Sequence, residues 1–142
     1  MTKMENLLNS NPKMKNMKFI GFINKHDDYF FAKDLQKYYL ADNEENTQRN
    51  EVIEYLKKGV LCGAIMSIAE DTDNERMGSV SAYTDGEWYW PEYFVNYLKK
   101  YKNFKIDNDF VIHVLKNKDK EVELTEEEVS ELENIFFKIA WN

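Results

Sequence analysis

Residues Thr84-Asp85-Gly86-Glu87-Trp88-Tyr89-Trp90-Pro91 constrain the fold more than any other stretch of this 142-residue chain. Asp-Gly between β-prone residues is a two-residue hairpin signal, because a type I′ turn needs positive φ at both positions. Trp88 and Trp90, two apart, project to one side of a strand and enter a core beneath whatever follows. Pro91 suits the first position of a helix, where its missing N–H costs nothing. Tyr93, Phe94, Tyr97, Leu98 and Tyr101 then recur on one broad helical face. Glu87 and Tyr89 fall on the other side of the strand, which makes Tyr89 a candidate exposed aromatic contact.

Periodicity organises the rest. Residues 1–16 show none and read as a weakly ordered lead-in, with a single domain over 17–142. A short strand over 18–23 is predicted, then a turn over 24–28. Phe31, Leu35, Tyr38 and Tyr39 predict a helix through Leu40, and 41–47 a polar loop. Val52, Ile53 and Leu56 give the buried face of a helix that Gly59 stops in the left-handed conformation. Leu61–Ala69 reads as a buried strand, 70–76 as a loop and Met77–Thr84 as the returning strand. Asp107 is expected to cap a helix burying Phe110, Val111, Val114 and Leu115. Thr125 and Glu128 form a capping box. The helix after it has Val129, Leu132, Ile135, Phe136 and Ile139 as its apolar stripe, with Glu127, Glu131 and Lys138 outward. Strands followed by helices without regular alternation predict an α+β fold: a short antiparallel β-meander packed against about five helices.

Composition excludes several functions. An aromatic content of 15% is too high for a disordered chain. No apolar run approaches the roughly 20 residues of a membrane helix. The polar, lysine-dotted N-terminus lacks the apolar core of a secretory signal. Cys62, the single cysteine, has no internal disulfide partner, as expected in a reducing cytoplasm. A net charge of -7, with only Arg49 and Arg76 as guanidinium anchors, argues against a nucleic-acid partner. The charge is also localised. Residues 1–70 carry ten basic and ten acidic side chains, and residues 71–142 nine and sixteen, so the second half holds the whole excess. Half of those sixteen acids lie between Asp119 and Glu133, opposed only by Lys120. A solvated helix face with acids near its positive end accounts for them. So does a docking surface for a basic partner, since single-sign patches accelerate association.

The candidates for chemistry are thin. Phosphate-cradling glycine loops, a nucleophile elbow and a zinc helix are all missing from the sequence. His26-Asp27-Asp28 offers a metal ligand set or a His–carboxylate base, but exposed turn residues explain it equally. His113 borders an apolar helix face and has no partner at ligand spacing. Asp71-Thr72-Asp73-Asn74-Glu75 begins like a calcium loop, yet Arg76 stands where glycine is required and Ala82 where a bidentate glutamate is. Cys62 in a buried strand is a small hydrophobe. Paired carboxylates suit a hydrolase only at the right separation, which sequence does not reveal. No catalytic residue, metal or cofactor is expected.

The stretch from Thr84 to Pro91, continued by Tyr93 and Tyr97-Leu98-Lys99-Lys100-Tyr101, resembles a T-D-G-x-W-x-W-P signature of small acidic bacterial proteins. Many of these are similar to immunity proteins of polymorphic or contact-dependent growth-inhibition toxin systems. With Tyr55-Leu56-Lys57-Lys58-Gly59 and the Phe110 helix, the likeness covers residues 17–116. It implies a non-enzymatic antitoxin that neutralises a cognate toxin domain, a cationic nuclease, by direct binding. The likeness transfers no binding residue. Charge supplies Asp119, Glu121, Glu123, Glu127 and Glu131 as candidate contacts, and the strand pattern adds Tyr89. The alternatives are a small carboxylate-dependent hydrolase and a regulatory or carbohydrate-binding module using exposed aromatics. The toxin's activity, the part of it blocked and the oligomeric state stay open.

Overall fold

A computed structural model describes residues 17–38 and 48–140. Six strands run in chain order: β1 (Lys18–Phe19), β2 (Val60–Gly63), β3 (Ile68–Glu70), β4 (Arg76–Ser79), β5 (Ala82–Thr84) and β6 (Trp88–Pro91). Among the described residues there are four α-helices, α1 (Arg49–Leu56), α2 (Tyr93–Lys100), α3 (Asn108–Asn117) and α4 (Glu126–Ala140). The architecture is α+β in one small domain. The expected lead-in over 1–16 and loop over 41–47 lie outside the described residues.

The hairpin forms between β5 and β6, with Tyr83 opposite Trp90 and Thr84 opposite Tyr89. Its turn is not the expected type I′. Only Gly86 has positive φ there, at 103°, so glycine is the first residue of a Gly86-Glu87 loop. Asp85 serves the turn through its side chain, accepting the N–H groups of Glu87 and Trp88 at 2.9 Å each. Thr84 Oγ1 donates to the Trp88 carbonyl and accepts the Gly86 N–H.

The main sheet has the order β1-β6-β5-β2, and β3 and β4 pair separately. β1 adds to the edge in parallel to β6, and β5–β6 and β2–β5 are antiparallel. The two long strands expected over 61–69 and 77–84 are each broken in two. At the break the Ser81 hydroxyl takes over the ladder, accepting the Ile65 N–H at 2.9 Å and donating to the Ile65 carbonyl at 3.1 Å. Pro91 is not a helix start. It closes β6 opposite Ala82, and the next amide, Glu92, resumes pairing with the Ser81 carbonyl.

Both faces of this sheet are covered. Trp88 and Trp90 join Phe94, Leu98, Phe104 and Phe110 in the larger apolar cluster, beneath α1, α2 and α3. Tyr89, Cys62 and Ala82 meet Leu132 and Phe136 of α4 on the opposite side. Tyr89 is therefore fully buried, contrary to expectation, and its hydroxyl donates to the Leu132 carbonyl at 2.7 Å. A strand sandwiched between helices loses the in-and-out alternation that the expectation rested on.

Other corrections share that origin. The helix expected over 31–40 is a 3-10 turn over Leu35–Tyr38, with Tyr39 and Leu40 outside the described residues. Phe31 stacks on Phe19 at 3.9 Å on one side of the sheet, while Leu35 and Tyr38 belong to the core on the other. They never shared a helical face, so the described residues hold four α-helices where about five were expected. Gly59 is not in the left-handed region; it lets the Trp90 ring approach, where a Cβ would lie 2.3 Å from the ring. Leu61 and Leu115, expected inside, are exposed. Asp107 occupies the N-cap of α3 without a side-chain cap bond.

Candidate partner-binding surface

The acidic segment is held in place from beneath. Lys58, just beyond α1, donates from Nζ to the carbonyl oxygens of Lys118 and Lys120. From there the segment alternates. Glu121 and Glu123 are exposed, and Val122 between them and Leu124 after them are half-buried. Leu124 packs at the hairpin tip, where a Cβ on Gly86 would come within 3.3 Å of its Cδ2. Thr125 and Glu128 then close the expected capping box, each side chain accepting the other's backbone N–H at 3.1 Å. This satisfies two N-terminal donors of α4 and fixes how the segment enters the helix.

Asp119, Glu121, Glu123, Glu127 and Glu131 are all exposed, as the sequence predicts. The first four form no ion pair with another described residue. Tyr89, the sixth candidate, lies under α4 and cannot reach a partner. Sequence reasoning missed Glu51 and Glu54, which line an open groove of about 350 Å³ with Tyr55, Lys58 and Asp119. The signal for them was the polar side of α1 opposite Val52, Ile53 and Leu56.

One buried carboxylate ties this end of the molecule together. The Asp85 side chain is 2% exposed, and its Oδ2 accepts from Tyr55 Oη at 2.5 Å and lies 2.6 Å from His113 Nε2. Hairpin, α1 and α3 therefore converge on one acceptor. Burial pushes the Asp85 carboxyl up, but the hydrogen bonds from His113, Tyr55, Trp88 and Glu87 outweigh it and hold the group below the usual range. Burial and the neighbouring Asp85 push the Tyr55 phenol up, so it stays a donor. His113, which borders the apolar face of α3, is partly buried, and its partner Asp85 sits inside the hairpin signature.

The remaining candidates resolve into structural roles. His26 and Asp27 are not free turn residues: His26 Nε2 lies 2.7 Å from Tyr97 Oη, and buried Asp27 accepts from Tyr93 Oη at 2.6 Å. Burial raises the Asp27 carboxyl to about 6 against that bond. The calcium-like loop does gather its oxygens around a cation, but the cation is an ammonium. Lys100 Nζ lies 2.7, 2.6 and 2.7 Å from Asp71, Asp73 and Glu75. No cluster suited to a metal ion occurs among the described residues. Burial pushes the Cys62 thiol up to about 12, so it is no nucleophile at neutral pH. No helix of the described residues is long and apolar enough to cross a membrane.

Comparison with protein families, with curated proteins and with solved structures finds no match to this chain.

Proposed function

We propose that the chain is an immunity protein that neutralises one cognate bacterial toxin domain, a cationic nuclease, by stoichiometric binding. The observation that carries the reading is the run of exposed acids from Asp119 to Glu131, braced by Lys58, Leu124 and the capping box. A backbone tied at these points presents the acids in a fixed order to a basic cleft, so less backbone ordering opposes binding. The resemblance of residues 84–101 to proteins of toxin systems points the same way, and an inhibitor of this class needs no active site.

The test is co-purification with the toxin domain encoded next to this chain, together with growth protection when both are expressed. A stoichiometric complex and restored growth support the reading; free toxin and no protection defeat it. One observation favours the hydrolytic alternative, the Asp85–His113 pair, whose histidine lines an open cleft of about 440 Å³ with Lys18, Glu87, Asp109 and Lys116. H113A that folds and still protects cells counts for the immunity reading.

A further inference from the structure

His113 stands between two carboxylates. Its Nε2 lies 2.6 Å from Oδ2 of Asp85, and its Nδ1 lies 3.5 Å from Oε2 of Glu87. Both carboxylates belong to the hairpin, Asp85 inside its turn and Glu87 at its tip, so one ring joins α3 to the hairpin at two points. The two contacts are unlike. Asp85 is 2% exposed and ionised at neutral pH, so the short bond needs a proton on Nε2. In the neutral ring that leaves Nδ1 as a lone pair facing Glu87, which is itself an acceptor. Asn117 Nδ2 is also 3.5 Å from Nδ1, but it gives its short bond, at 2.8 Å, to the His113 carbonyl.

One proton changes this arrangement. On Nδ1 it turns two facing acceptors into a charge-assisted N–H···O bond, and an imidazolium then has a carboxylate on each nitrogen. The ring itself is packed, with Phe110 stacked along it at 6.1 Å and Tyr55 edge-on at 5.8 Å. Closing the gap therefore falls to Glu87, whose side chain is 68% exposed. Groups from each neighbouring element face the ring. Asp85 and Glu87 of the hairpin and Asp109 of α3 favour the proton, while Lys18 of β1 and Lys116 of α3 oppose it. Tyr55 of α1 keeps its own proton on Asp85, with its Oη 3.3 Å from Nε2.

We propose that His113 is a proton-operated clasp between α3 and the hairpin tip: protonated at Nδ1 it binds Glu87 while still holding Asp85, and neutral it releases Glu87. The clasp reaches the candidate partner surface, because Gly86 of the same tip packs at Leu124, where a Cβ would come within 3.3 Å of Cδ2. With the ring neutral, Glu87 is a free carboxylate beside the acidic segment. With the ring protonated, that charge is spent on His113. The clasp stands without the reading of a toxin partner and, where that reading holds, makes the surface respond to pH.

The test is a titration of the histidine side-chain nitrogens by NMR, from about pH 8 to 5, on the parent protein and on E87Q. Glu87 is exposed and its side chain takes no part in the turn, so E87Q should keep the fold. His26, far from the hairpin in contacts with Tyr93 and Tyr97, is the internal control. At high pH His113 is expected to carry its proton on Nε2. Its midpoint should fall in E87Q by about half a unit or more, since an exposed carboxylate is partly screened, with His26 unmoved. Below the midpoint the Nδ1 proton should exchange slowly enough to be seen in the parent and be lost from view in E87Q. The Leu124 methyl signals should follow the His113 midpoint in the parent. A high-pH ring protonated on Nδ1 overturns the proposal. So does an E87Q midpoint equal to that of the parent, or an Nδ1 proton equally protected in both proteins. None of these measurements uses the toxin, so the clasp and the immunity reading fail separately.

Discussion

At the scale of single residues, three buried carboxylates do most of the work of joining elements. Asp85 and Asp71 have more donors than burial can outweigh, so both ionise below the ordinary range. Each is ionised in the folded state at a pH where the unfolded chain is protonated. Their stabilisation is therefore complete above the unfolded value and is lost as pH falls through the folded one. Asp27 has the opposite sign. With a single donor, Tyr93, its carboxyl rises from 3.8 to about 6, so folding takes up a proton between those values. Its ionisation costs stability as pH climbs through that window, and the cost is complete above about 6. D27N keeps an acceptor for Tyr93 and removes the charge. Thermal denaturation of D27N against the parent should show little difference near the unfolded value and a gain in Tm of several degrees at neutral pH. An equal difference at both ends of the range contradicts this.

At the scale of elements, the capping box makes a clean prediction. T125A removes the acceptor for the Glu128 N–H and should cost about 1 kcal/mol, read as a lower urea midpoint with an unchanged m-value. This box, the stripe of α4 and the aromatic face of α2 were legible because each rests on local periodicity or a local hydrogen bond. The 84–91 hairpin was legible for the same reason, although Asp85 acts there by accepting hydrogen bonds and not by its φ. What escaped depends on partners distant in sequence. Nothing near Tyr89 announces that Leu132 will cover it, and Phe31 and Leu35 have helical spacing yet serve opposite faces of a sheet. Gly59 punctuates a helix in sequence, but its small size answers to Trp90, far along the chain. Of the candidate contacts, the five acids were legible because surface charge needs no partner to stay exposed.

At the scale of the whole molecule, charge and shape separate into two ends of one account. Apolar and aromatic side chains fill both faces of the sheet, and the acids collect where α1, the hairpin tip and the start of α4 come together. The exposed acids make none of the contacts that hold their segment in place, which are Lys58 to the 118 and 120 carbonyls and the capping box, so reversing them should alter association without altering the fold. Steering of this kind acts over the Debye length, which shrinks from about 30 Å at 0.01 M salt to about 8 Å at 0.15 M. The direct measurement is the stopped-flow association rate of the neighbouring toxin domain with the parent protein and with E123K/E127K/E131K, each at low and at physiological salt. The account predicts a fast, salt-sensitive parent rate and a drop of about tenfold or more for the variant at low salt, with the fold intact and a melting temperature lowered only by the few degrees that a cation at the start of α4 costs. Equal rates for the two proteins, with the same dependence on salt, would contradict it and return the acids to the role of a solvated face.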